Sequence, residues 1–150
     1  MRYVHHCALR WSDMDSYGHV NNTRFLTLYE EARVALIYAL AAERGGPSLV
    51  DDGVVISRHE IDYVRPVVYR TDASLAPPPP PHVRIELWIE NIRGAQFTVV
   101  YELFDGDLLA SRARTVCVLF DLAGQRPRRM TPHEREFLSR YDPAVDGART

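Results

Sequence analysis

The chain has 150 residues, with 18 Lys and Arg against 20 Asp and Glu for a formal charge of -2, and it is 46% hydrophobic, 10% aromatic and 25% charged. That length suits one domain, and that composition can fill one continuous core. Near neutrality without a basic run excludes the footprint of a nucleic-acid binder; the nearest feature, Arg126, Arg128 and Arg129, reads as a solvated turn. Cys7 and Cys117 form neither a CxxC pair nor a zinc set, and a domain of this size does not depend on a lone disulfide. The opening MRYVHHCALRW lacks an apolar run long enough for a signal peptide and no stretch approaches a membrane span, so a cytoplasmic protein with no membrane partner is expected.

In chain order, residues 3–11 read as a short strand. It runs into Ser12-Asp13-Met14-Asp15-Ser16-Tyr17-Gly18, small and acidic residues that bond their own backbone, followed by a glycine able to take positive φ. A long helix is predicted over residues 23–44, capped by Asn21 or Asn22 and stopped by Gly45-Gly46-Pro47. Phe25, Leu28, Tyr29, Ala32, Leu36 and Leu40 share one face, while Leu26, Val34, Ile37 and Ala41 lie on others. So wide an apolar distribution predicts a helix largely enclosed by other material. Glu30 and Glu31 on such a helix need partners, with Arg33 or a strand arginine the natural choice.

The pattern then changes to period two. Residues 54–64, 83–89, 97–103 and 109–120 read as strands, separated by Arg93-Gly94 and by Asp105-Gly106-Asp107. Loops so short make the strands on either side antiparallel neighbours. Residues 77–81 are five consecutive prolines, a stiff extended loop spanning roughly 15 Å at about 3.1 Å per residue. Thr131-Pro132-His133-Glu134 is a capping box that predicts a helix over residues 132–140, and residues 142–150 read as a loose tail. The order is strand, long helix, then four or five antiparallel strands. Its simplest packing is an α+β fold with one curved sheet around one central helix.

The chemistry concentrates in residues 10–22, where two carboxylates, an imidazole and two carboxamides precede a helix N-terminus. The first amides of a helix have no internal partners and sit at the positive end of its dipole, so they can stabilise an oxyanion forming on a thioester carbonyl. A carboxylate nearby can attack that carbon or deprotonate water. Local chemistry alone leaves Asp13 and Asp15 open between this role and simple turn and cap duty.

The run D-M-D-S-Y-G-H-V-N-N with F-L-T-L-Y-E-E-A-R after it resembles the hotdog-fold acyl-CoA thioesterases of the 4-hydroxybenzoyl-CoA type. The resemblance extends over residues 7–138 and takes in I-D-Y-V-R-P at 61–66 and the late strand ending V-L-F-D. It implies a hotdog domain over residues 1–141 that hydrolyses an acyl-CoA or acyl-carrier-protein thioester, with Asp15 as base or nucleophile. It implies the backbone N–H of Asn22 as oxyanion donor, His19 and the Asn21 and Asn22 side chains as orienting groups, and Asp13 as a turn residue. It also implies a homodimer or homotetramer with acyl groups in a crevice between subunits. The chain departs from relatives in its proline insertion and at Ala95 and Gln96, where many relatives carry serine.

The plain reading of His19 is a satisfied hydrogen-bonder at a helix entrance, and Asn22 reads as a cap whose catalytic contribution is its backbone. His59-Glu60-Ile61-Asp62 lacks the second histidine of a zinc helix, so neither metal nor cofactor is expected. The absence of G-x-S-x-G excludes a serine elbow. Two other readings stay open: an enoyl-thioester hydratase, and a non-catalytic acyl-binding protein whose residues 77–81 dock a partner.

Overall fold

The computed structural model describes residues 1–44, 53–71, 74 and 79–146. In chain order these form β1 (Tyr3–Ala8), a 3-10 turn (Trp11–Asp13), α1 (Asn22–Arg44), β2 (Val54–Tyr63), β3 (His82–Glu90), β4 (Gln96–Asp105), β5 (Leu108–Asp121), β6 (Arg126–Pro127), α2 (Pro132–Ser139) and α3 (Pro143–Asp146). Every pairing is antiparallel, and the sheet runs β1-β3-β4-β5-β2, with the short β6 beside β5. Strands β3, β4 and β5 are joined by the short loops the turn residues predict. Strands β1 and β2, which flank the long helix in sequence, end up on opposite edges.

Period two decides which face of the sheet is buried. Val83, Ile85, Leu87 and Ile89 of β3 and Phe97, Val99, Tyr101 and Leu103 of β4 face inward and are fully or almost fully buried. Their neighbours Arg84, Glu86, Glu90 and Glu102 face outward: Arg84 pairs with Glu86 on its own strand, and the three carboxylates pair with Arg2, Arg112 and Arg114. The predicted apolar stripe of α1, from Phe25 to Leu40, packs onto the inner face, where Tyr29 meets Tyr101 with ring centroids 4.8 Å apart. This is the hotdog arrangement, one long helix against the concave side of an antiparallel sheet.

The sheet covers only part of that helix. Leu26, Val34 and Tyr38 are exposed on its far side, so the expected enclosure is not reached within one chain. Counting apolar residues cannot distinguish a helix wrapped by its own sheet from one with an uncovered face. Nor are Glu30 and Glu31 buried. The buried charge is Arg33, 4% exposed, whose guanidinium donates to Tyr101 Oη at 3.2 Å and to Glu30 at 3.3 Å.

Strand β1 stops at Ala8 rather than residue 11, because the next amide, Leu9, donates to Pro81 O at 2.7 Å and the chain then coils into the 3-10 turn. Helix α2 begins as its capping box requires. Thr131 Oγ1 accepts from the Glu134 amide at 3.2 Å and the Glu134 carboxylate accepts from the Thr131 amide at 2.8 Å. Arg128 is not a solvated turn residue: it donates two hydrogen bonds, at 2.7 and 3.0 Å, to the fully buried Glu134. Of the segment expected as a tail, Pro143–Asp146 is the short helix α3, and residues 147–150 lie outside the described residues. Also outside them are the helix stop at residues 45–47 and the first two prolines of the 77–81 run.

Register fixes the two ends of the sheet. The end of β2, the start of β5 and the end of β1 lie together at one end. The β3–β4 turn and the end of β5 lie at the other, under α2. Helix α1 joins the two, since Glu43 near its C-terminus pairs with Arg140 just after α2 at 2.6 Å.

Candidate active site

The loop before α1 is held by its own backbone. Asp13 O accepts from the Asn21 amide at 2.8 Å, Met14 and Val20 form a bridge, and the Asp15 amide donates to His19 O at 2.8 Å. Residues 15 to 18 close a turn in which the Gly18 amide donates to Asp15 O at 3.1 Å, with Gly18 at φ +74°. A Cβ there meets nothing within 4 Å, so the backbone angle and not space is what favours glycine. Asp13, 2% exposed, accepts from the Arg10 amide at 2.7 Å and from the Arg10 guanidinium, which makes it the structural acid of the pair.

Asp15 is held differently. Its Oδ1 accepts one bond, from the Tyr17 amide at 2.9 Å, which fixes the side-chain direction. Among the described residues no cation pairs with it, and its Oδ2 enters no hydrogen bond. The helix cap is Asn21, not Asn22: Asn21 Oδ1 accepts from the Thr23 amide at 3.0 Å and from the Thr23 hydroxyl at 2.7 Å. Asn22 is the first helical residue. Its carbonyl accepts from Tyr63 Oη at 3.0 Å, and its amide is bonded to nothing among the described residues. With Thr23 taken by the cap and Arg24 donating to Asn21 O, Asn22 offers the open donor at this helix start.

Asp15, His19 and Asn22 line one pocket of about 280 Å³, together with Val20, Phe25 and the segment running from Tyr63 to Pro66. The expected trio is therefore brought together. The second wall is not among the residues the sequence marks as site. It arrives through β2–β5 pairing, where Tyr63 lies opposite Ser111. The Val64 and Arg65 amides then both donate to Ala110 O at 2.9 and 3.0 Å, and the Val20 amide donates to Val67 O at 2.7 Å. Phe25 meets Tyr63 edge to face at 5.2 Å, giving the pocket an apolar floor beneath its polar rim. The one signal for this wall is the Y-V-R-P run, and nothing local says which loop it will face.

Other nucleophiles lie elsewhere. Cys7 and Cys117 are buried, and burial, reinforced for Cys7 by the Glu31 carboxylate 3.2 Å from its Sγ, pushes both thiols up to about 12. Thiols so reluctant to ionise are poor nucleophiles. No helix among the described residues is long and apolar enough to cross a membrane.

A family model described as the thioesterase-like superfamily matches residues 9–138. The chain belongs to that superfamily. Solved structures agree with its fold. A predicted thioesterase from Bacillus stearothermophilus is 23% identical, with TM-score 0.76 over 95% of this chain and 97% of its own. A candidate thioesterase from Pseudomonas aeruginosa is 28% identical, with TM-score 0.72 over 89% and 95%. A thioesterase from Thermus thermophilus, complexed with coenzyme A and Zn, is 24% identical, with TM-score 0.71 over 96% and 93%. A search of curated proteins finds no match. Membership of the superfamily supports thioester hydrolysis in general.

Proposed function

We propose that the protein hydrolyses an acyl thioester of coenzyme A or of an acyl carrier protein, with Asp15 as the catalytic carboxylate. The observation that carries this reading is the pairing, in one pocket, of a carboxylate with no cation partner and a helix-start amide with no acceptor among the described residues. The thioester carbonyl oxygen accepts from the Asn22 amide, and negative charge builds there as the carbon becomes tetrahedral. Asp15 either attacks that carbon or takes a proton from the water that does. When Asp15 acts as base, the C–S bond breaks, the sulfur leaves with its electron pair and takes the proton Asp15 has accepted, and a free acid and a thiol result. When Asp15 attacks directly, C–S cleavage leaves an acyl-aspartyl anhydride and a thiolate. A water that then hydrolyses the anhydride gives the free acid, restores Asp15 and supplies the proton for the thiol. His19, exposed at the rim, orients the water. The chemistry as written uses no metal or cofactor.

The thiol side is read as coenzyme A or its phosphopantetheine equivalent, in keeping with the coenzyme A held by the Thermus thermophilus thioesterase. A homodimer or homotetramer is the proposed working form, which would cover the exposed Leu26, Val34 and Tyr38 of α1. The test is thiol release from short, long and aromatic acyl-CoAs, beside an assay of water addition to crotonyl-CoA. Release from at least one acyl class supports hydrolysis. Water addition without release indicates a hydratase, and tight acyl-CoA binding with neither reaction indicates a binding protein.

A further inference from the structure

We propose that Arg65 is the specificity-determining residue of this pocket and that it takes a phosphate on the thiol side of the substrate. The proposal rests on the reading that the pocket accepts an acyl thioester.

Arg65 lines the same pocket as Asp15 and His19, yet among the described residues its guanidinium makes no ion pair and no hydrogen bond. Arginines on the outer sheet face do otherwise: Arg2, Arg84, Arg112 and Arg114 each meet a carboxylate. The backbone of the segment that carries Arg65 is tied on both sides. Its own amide and that of Val64 share Ala110 O, Val67 O is held by Val20, and Pro66 restricts the backbone of the residue before it to extended angles. A planar fork of donors on a pinned backbone, with no partner among the described residues, is organised for a planar or tetrahedral oxyanion.

Position separates the two ends of the substrate. The buried apolar lining of the pocket is Val20 and Phe25, 5% and 3% exposed, which suits the acyl group or the uncharged pantetheine arm, while Val64 and Pro66 flank Arg65 at the surface. Arg65 is exposed, at the rim, where the part of the substrate that stays in water passes. On a coenzyme A or carrier-protein thioester that part carries phosphate. The phosphate nearest the pantetheine arm is common to both carriers, while the nucleotide phosphates belong to coenzyme A alone.

The experiment measures binding of non-hydrolysable thioether analogues built on pantetheine, 4'-phosphopantetheine and coenzyme A to the wild-type chain, Arg65→Gln and Arg65→Lys. The expected result is a loss of about tenfold or more for Arg65→Gln with the phosphorylated analogues, the scale of a charged hydrogen bond. Pantetheine should change by less than about twofold, and Arg65→Lys should lie between, having the charge without the fork. Equal losses for 4'-phosphopantetheine and coenzyme A assign Arg65 to the shared phosphate; a loss for coenzyme A alone assigns it to the nucleotide phosphates. Equal loss for pantetheine, no loss for any analogue, or a wild-type chain that does not favour phosphorylated analogues overturns the proposal. Thiol release by the wild type is scored separately. Turnover indifferent to phosphate removes the role of Arg65 and keeps hydrolysis, and phosphate-dependent binding without turnover does the reverse.

Discussion

Two ways of starting a helix are used at opposite ends of this sheet, to opposite effect. At α2, Thr131 and Glu134 satisfy each other's amides, and Arg128 neutralises the buried Glu134 with two further bonds. The cap is complete in itself. At α1, Asn21 caps Thr23, while the Asn22 amide, one oxygen of Asp15 and the Arg65 guanidinium are left without partners among the described residues, beside a pocket. Unmade hydrogen bonds are tolerable there because the groups reach water, and they are what a ligand can use. A helix start complete in itself offers a ligand nothing; one left open at a pocket leaves donors and acceptors that a ligand can use.

The largest break in this comparison comes from Glu134→Ala, which removes the carboxylate that a partly buried Arg128 bonds twice and with it the reciprocal half of the Thr131 capping box. It should cost about 3–5 kcal/mol in denaturant unfolding while leaving thiol release per folded molecule unchanged. The pH dependence has a definite sign. Burial pushes the Glu134 pKa up, but bonds from Arg128 and the Thr131 amide outweigh it and leave the carboxyl below its usual range. A depressed folded-state pKa means stability that is present above the unfolded value of about 4.3 and is lost as pH falls through the folded value. Wild type should therefore lose more stability on acidification below about pH 5 than Glu134→Gln does.

Asn21→Ala comes next, at about 1 kcal/mol of stability from the lost cap, with Asn21→Asp close to wild type. The open amide of Asn22 should survive both changes, so a fall in turnover much beyond the loss of folded protein would mean that cap and donor are not separable. The smallest effect is Tyr63→Phe, which removes the 3.0 Å bond to Asn22 O at an exposed position. We expect about 0.5 kcal/mol in stability and a change in turnover below about threefold.

How much of this is legible in the sequence follows from distance along the chain. Strand periods at β3, β4 and β5, the apolar face of α1 and the capping box of α2 are encoded within a few residues, and each is visible there. The acidic half of the pocket is likewise contiguous, so Asp15, His19 and Asn22 can be named together. Tyr63 and Arg65 join them only because β2 pairs with β5 and its end is tied to Ala110, a register that no local pattern reports. Arg128 is misleading for the same reason. Three arginines near a glycine look like solvent, and only the packing of α2 over the β3–β4 turn buries the carboxylate that one of them serves.

The central claim is that Asp15 does chemistry and Asp13 does not. The direct test is steady-state thiol release by Asp15→Asn, with thermal unfolding and analogue binding measured on the same preparation. The account predicts a fall in turnover of about a hundredfold or more, with Tm and binding near wild type, because Asn keeps the shape and the acceptor for Tyr17 and loses the charge. Full activity in a folded Asp15→Asn protein would contradict it.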